Sequence, residues 1–303
     1  MRSEQYFSSE LQERLRQVNT LFIDVDQCIY PGPDELNGVF TELAQRYKLI
    51  PCTSRSLGEM EAESYPGKDV LLASSNGIFE AGLMIKVNGE IQTTCGANDL
   101  QNLDEIRKRL RMAFIPIGPR NTDDKYSFGD YSKDPNAFGS FPTNQKDLKP
   151  MPFVFSNYPN QLSVILWPSG NARECPTDYN YFACADFVES LRNENPKLFN
   201  NISITRTDGS VLIRPNSPNN EIITKLHGVQ SLQTQCGIAT ETSLFIGDDE
   251  QMDLPVAQYI SKNGGLVVVP ENASEKIKLR AGLILPGYAG SALMPFLQTL
   301  TQI

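Results

Sequence analysis

LFIDVDQCIYPG, residues 21–32, ends a run that reads as a buried strand with two aspartates, Asp24 and Asp26, just before a Pro-Gly turn. A buried carboxylate is costly unless something pairs with it or coordinates it. Residues elsewhere in the chain must therefore meet these two. In a strand, residues i and i+2 share a face, so both acids can reach one site.

The flanking pattern is βαβ. Residues 8–18 read as an amphipathic helix, with Leu11, Leu15 and Val18 about a turn apart. VNTLFIDVD is a strand, LNGVFTELAQRYK a helix, LIPCTSRS a second strand, and DVLLASSNGIFE a third strand ending in a Ser-Asn-Gly turn. Strands alternating with helices imply a parallel sheet. The pattern then changes. LMIKVNGEIQTT reads as a hairpin about Asn-Gly, and NDLQNLDEIRKRLRMAF as a helix. Residues 118–152 are rich in Gly, Pro, Asn, Asp and Lys and show no periodicity; a loop of that length is usually functional or disordered. QLSVILWP is a strand, DYNYFACADFVESLRNEN a helix, and ISITRTDGSVLIRP a hairpin about Asp208-Gly209. After residue 216 the parallel signature returns: helix NEIITKLHGVQSLQTQCG, strand TSLFIGDDE, helix DLPVAQYISKNG, strand GLVVVPEN and a last helix near GSALMPFLQTLTQ. The expected organisation is an α/β, Rossmann-like parallel-sheet core from residues 1–90 and 216–303, interrupted by an α+β insertion over residues 91–215.

Bulk properties narrow the function. The chain has 303 residues, 40% hydrophobic and 21% charged, with net charge −9. An acidic balance argues against nucleic acid or an anionic membrane as partner. An anionic small substrate stays open, because a bound cation reverses the local field. Six scattered cysteines without a C-x-x-C pair, and one histidine, His227, leave no zinc-site spacing. Scattered thiols suit a reducing compartment. No signal-peptide core and no membrane-length apolar run is seen, so a cytoplasmic location is expected.

Three strand ends carry polar groups: Asp24 and Asp26; Thr53, Ser54 and Arg55; and Asp248, Asp249 and Asp253. In an open parallel sheet, ligands bind beyond the carboxyl ends of the strands. Clustered carboxylates repel, and a divalent cation relieves that repulsion. Oxygen-only ligation suits Mg²⁺, with phosphate as co-ligand. One aspartate could attack phosphorus while the other moves protons. Helix capping is the plainer use of Asp248 and Asp249, but two successive acids and a third at Asp253 exceed that need.

These motifs, in this order, resemble the haloacid dehalogenase superfamily, in its branch with a type IIB cap, which includes sucrose-, trehalose- and mannosylglycerate-phosphate phosphatases. DVDQC resembles the D-x-D-G-T motif and implies Asp24 as nucleophile and Asp26 as acid/base. CTSRS resembles the second motif and implies phosphate binding by Thr53, with Ser54 and Arg55 nearby. SSNGIFE is similar to the branch's Ser-Asn-Gly turn, which places Asn76 with the phosphate- and substrate-binding residues. GDDEQMD resembles the acidic motif and implies Mg²⁺ ligation by Asp24, the backbone carbonyl of Asp26, Asp248, and Asp249 or Asp253. Gln27 and Cys28 stand where the family has glycine and threonine. The family's lysine aligns with Asn220, and Lys225 comes five residues later, over a helical turn away, where it could substitute.

The resemblance implies a Mg²⁺-dependent phosphatase acting on a phosphorylated sugar or glycoside, with specificity in a cap that closes over the site. Arg120, Lys125, Tyr126 and Trp167 are cap candidates. A phosphomutase, or phosphotransfer to a second sugar, would use the same residues. Gln27, Cys28 and the displaced lysine motivate an alternative, a non-catalytic sugar-phosphate binder. His227 reads as a helix-surface residue, and the cysteines as small core residues.

Overall fold

The run TLFI over Thr20–Ile23 is buried at every position, as are SLFI over Ser243–Ile246 and LVVVP over Leu266–Pro270, and apart from Thr20 and Ser243 these residues are apolar. Strands without alternation are covered on both faces, the mark of a parallel sheet flanked by helices. The structure, a computed structural model, describes residues 7–113, 115–117, 153–156, 161–168, 178–207 and 210–303.

In chain order the first elements are α1 (Ser9–Gln17), β1 (Thr20–Ile23), α2 (Leu36–Leu43), β2 (Lys48–Pro51), α3 (Leu57–Ala62), α4 (Lys68–Ala73), β3 (Gly77–Phe79), β4 (Met84–Val87) and β5 (Glu90–Thr93). Then come α5 (Ala97–Ala113), β6 (Ile115–Ile117), β7 (Phe153–Ser156), β8 (Val164–Pro168), α6 (Asp178–Glu194), β9 (Ile202–Thr207) and β10 (Ser210–Pro215). The last part holds α7 (Lys225–Cys236), β11 (Ser243–Ile246), α8 (Leu254–Lys262), β12 (Leu266–Pro270), α9 (Glu275–Lys278), β13 (Leu283–Leu285) and α10 (Ala289–Leu300). Among the described residues no helix is long and apolar enough to cross a membrane.

The chain divides into two units. The first comprises residues 1–56, 63–94 and 223–303. Its parallel sheet has the order β13-β12-β11-β1-β2. The register sets Phe22 beside Phe245 and Ile23 beside Ile246. Phe22, Ile50, Phe245, Val256, Ile260 and Val267 form part of one buried core. The two LFI segments, remote in sequence, are thus adjacent strands whose carboxyl ends lie side by side.

DVLLASSNGIFE departs from its expected strand. Lys68–Ala73 is helical, and only Gly77–Phe79 is extended. A short apolar run cannot by itself distinguish helix from strand, and leucine and alanine favour the helix. β3 also leaves the parallel sheet and pairs antiparallel with β4. The β4–β5 hairpin forms as expected: Asn88 and Gly89 have φ of 51° and 90°, the signature of a two-residue type I′ turn.

The second unit comprises residues 57–62 and 95–222. Its sheet has the order β6-β7-β8-β10-β9, antiparallel apart from the β6–β7 pair. Leu103, Ile106 and Leu110 of α5 recur on one face and pack in a cluster with Val164, Leu166, Val188, Val211 and Ile213. β6 and β7 had no counterpart in the sequence reading. The Asp208-Gly209 turn, the whole 118–152 segment and the side chain of Trp167 lie outside the described residues, and with them Arg120, Lys125 and Tyr126.

Candidate active site

β1 ends where Asp24 N–H donates to Ile246 O at 2.9 Å, so the first aspartate emerges against the end of β11. Asp24 is only 4% exposed. Its Oδ1 accepts from Val25 N at 2.8 Å and lies 2.9 Å from Lys225 Nζ. Lys225 is fully buried, and the same Nζ donates to Asp253 Oδ1 at 2.7 Å. Asp253 Oδ2 accepts from the N–H groups of Asp248 and Asp249 at 2.9 and 3.1 Å. Gly247 is needed there, since a Cβ would lie 2.8 Å from Asp253 Cγ. Cys28 Sγ is 3.5 Å from Asp248 Oδ1. The ligand atoms of Asp24, Cys28 and Asp248 all lie within 4.8 Å of one another.

Lys225 is not displaced by a helical turn, because the helix does not begin near residue 220. Asn220 has φ 61° and its N–H bonds to Ser217 O, closing a turn instead. α7 begins at Lys225 itself. Thr224 precedes it with extended backbone, and its N–H donates to His227 Nδ1 at 3.1 Å. His227 thus has a local partner at the helix start. Gly82 (φ 97°) packs so closely that a Cβ would sit 2.3 Å from Thr224 O, which requires glycine. The same left-handed turn holds the second strand end: Ala81 N donates to Thr53 O at 3.0 Å and Glu80 N to Arg55 O at 2.8 Å.

The electrostatics follow from burial. Asp24, Asp248 and Asp253 against Lys225 leave two negative charges if all are ionised. Burial first, then Asp253, pushes the Asp24 carboxyl well above the usual range, and Lys225 opposes the shift. Burial and Asp253 push Asp248 up to about 7. Burial works against the Lys225 charge, but Asp24 and Asp253 outweigh it and raise that pKa. A divalent cation held by Asp24 and Asp248 would cancel the excess. The donor set fits a hard cation: two carboxylate oxygens at the adjoining ends of β1 and β11.

Asp26 faces Arg55. Arg55 Nε lies 3.1 and 2.9 Å from the two Asp26 oxygens, and Nη2 adds a further bond to Oδ1. Arg55 also pairs with Glu63 and lies over the rings of Tyr30 and Tyr65, at 5.5 and 5.8 Å. The Asp26 side chain is 46% exposed, unlike Asp24. Thr53 is fully buried, and its Oγ1 accepts from Arg55 N at 3.1 Å. Ser54 is exposed.

Three of the expected site residues have other partners in the structure. Asn76 does not join the carboxylates. Its Oδ1 accepts from Asn88 N at 3.0 Å and from Cys236 Sγ at 3.4 Å. Cys236 ends the helix that Lys225 begins, some 16 Å away at about 1.5 Å per residue. Asp249 is exposed, and its Oδ1 accepts from Gln251 N and Met252 N at 2.7 Å each, a local turn at the entry to α8. Asp253 gives both oxygens to Lys225 and to backbone N–H groups, contacts that the spacing of acids alone does not reveal. Glu63 and the two tyrosines about Arg55 carried no sequence signal, being in a loop and a turn.

No protein-family profile matches the chain, and no curated protein matches it. Solved structures do resemble it. The TM0651 protein of Thermotoga maritima is 14% identical, with a TM-score of 0.58 over 94% of this chain and 97% of that one. A haloacid dehalogenase-like hydrolase of Bacteroides thetaiotaomicron is 16% identical, with a TM-score of 0.55 over 94% and 99%. A trehalose-6-phosphate phosphatase related protein is 14% identical, with a TM-score of 0.57 over 94% and 97%. The fold is that of the haloacid dehalogenase-like hydrolases: a parallel-sheet core interrupted in sequence by an α+β unit.

Proposed function

We propose that the protein is a Mg²⁺-dependent phosphatase that hydrolyses a phosphorylated sugar or glycoside through an aspartyl-phosphate. The observation that carries this reading is the buried bridge from Asp24 through Lys225 to Asp253, with Asp248 beside it. It gathers acids from opposite ends of the chain at the adjoining ends of β1 and β11. Neighbours of the same fold, one described as a hydrolase and one as related to trehalose-6-phosphate phosphatase, support the reaction class and the sugar.

In this reading Asp24 Oδ1 is fixed by Val25 N and Lys225, which orients Oδ2 for attack on phosphorus. The phosphorus–oxygen bond to the sugar breaks, and Asp26 gives its proton to the leaving oxygen. Asp26 then takes a proton from water, which attacks phosphorus and frees Asp24 and inorganic phosphate. Arg55 holds the ionised Asp26 by both oxygens before substrate binds; in this reading substrate entry loosens that grip, and Asp26 takes up from water the proton that it then gives to the leaving oxygen. The buried Thr53 hydroxyl donates to a phosphoryl oxygen. Mg²⁺, held by Asp24 and Asp248, would neutralise charge on the phosphoryl group.

The binder reading drew on Gln27, Cys28 and the displaced lysine; with α7 starting at Lys225 and Lys225 bonded to Asp24, the lysine no longer argues for it. The test is a phosphate-release screen over sugar phosphates with Mg²⁺. Turnover by the native protein, absent in Asp24→Asn, is expected. A screen in which no substrate is turned over above that variant refutes the proposal.

A further inference from the structure

Cys28 occupies a place that the proposed chemistry leaves unused. It is fully buried, and its Sγ lies beside the carboxylates of Asp24 and Asp248. The loop puts it there: Ile29 N and Tyr30 N both donate to Val25 O, at 3.1 and 2.9 Å, and Gln27 takes φ 56°. Among the described residues, the cluster of Asp24, Cys28 and Asp248 is the one set of three metal-ligating side chains so close together. Cys28 Sγ hydrogen-bonds Asp248 Oδ1 at 3.5 Å, a separation that a tetrahedral cation about 2.3 Å from sulfur and about 2.0 Å from oxygen would also hold, so the two groups need not move apart to bind one.

We propose that Cys28 is a third protein ligand at this site, giving it a thiolate-ligated mode for thiophilic divalent cations such as Zn²⁺, Co²⁺ and Cd²⁺. The inference rests on reading Asp24 and Asp248 as the cation site. As the sulfur–metal bond forms, the thiol proton leaves to solvent, and nothing is oxidised. Thiolate is a soft ligand that Mg²⁺ does not favour, so the two modes compete for the same carboxylates. A threonine or serine hydroxyl at this position would not offer the second mode.

The experiment titrates the metal-free protein with Co²⁺ and follows the near-ultraviolet thiolate-to-cobalt charge-transfer absorption, alongside calorimetry with Mg²⁺ and Zn²⁺. The native protein should show the band, and Cys28→Ser should lack it. That variant should lose roughly tenfold or more in Zn²⁺ affinity, since even indirect partners of a ligand carry that much, while Mg²⁺ affinity stays within about threefold. Calorimetry of the native protein in several buffers needs no variant. Zn²⁺ should release one proton more than Mg²⁺ does. If Mg²⁺ binds but the band is absent, persists in Cys28→Ser, or proton release is equal, Cys28 is a hydrogen-bond donor only and the inference fails alone. If neither cation binds, the cation-site reading fails with it.

Discussion

Replacing Lys225 with methionine removes the ammonium and keeps most of the stem. Nζ lies 2.9 Å from Asp24 Oδ1 and 2.7 Å from Asp253 Oδ1. At an effective dielectric of about 20, each contact carries about 6 kcal/mol of gross Coulomb attraction. Desolvation of the three charges offsets most of that sum. Deleting one member of such a buried set costs about 3–5 kcal/mol, because the partners are left uncompensated. That is a large fraction of an ordinary domain's stability. The assay is urea unfolding at pH 8 without divalent cations. Adding Asp253→Asn to the variant should recover roughly 1 kcal/mol or more, since coupled neighbours are not additive. The deficit should also shrink in acid. The folded-state pKa of Asp24 is already raised by burial and by Asp253, and loss of Lys225 raises it further. A carboxyl with a raised folded pKa favours folding at low pH and opposes it as pH rises. A loss below about 1 kcal/mol, strict additivity with Asp253→Asn, or a deficit independent of pH would refute the reasoning.

Asp248 titrates near neutrality, at about 7, above its unfolded value, so its contribution to stability is present in acid and lost as pH rises through that value. Between pH 6 and 8 the cation-free protein should therefore lose roughly 1 kcal/mol that Asp248→Asn does not lose, measured by thermal unfolding. Arg55→Met removes the two-point grip on Asp26 and should lower kcat on the order of tenfold, with KM less affected, in steady-state phosphate release. Asn76→Ala should leave turnover near native and cost about 1 kcal/mol in unfolding experiments, since Asn76 braces the Asn88 turn.

The core was legible where chemistry and periodicity agreed. The two LFI runs are buried on both faces, so their acids had to emerge at the strand ends, and they emerge as neighbours. Asp24 and Asp248 were readable for that reason. In the sequence, the helix carrying Lys225 reads as starting at residue 220, because Ile222 and Ile223 lead into it without a break in the apolar pattern; Asn220 is left-handed and the helix starts at Lys225, which single-sequence spacing does not reveal. Asp253 looked like a ligand because its partner, Lys225, is 28 residues away in sequence. DVLLA failed differently, being too short for its period to decide between helix and strand. Asn76 was placed by motif likeness, whereas its side chain answers to a hairpin turn formed 12 residues later.

Calorimetric titration of Mg²⁺ into the native protein, Asp24→Asn and Asp248→Asn tests most directly whether acids from the two ends of the chain share one ion. One site should be seen in the native protein, with affinity lower by roughly tenfold or more in each variant. Unchanged binding in either variant, or two independent sites in the native protein, would contradict the account.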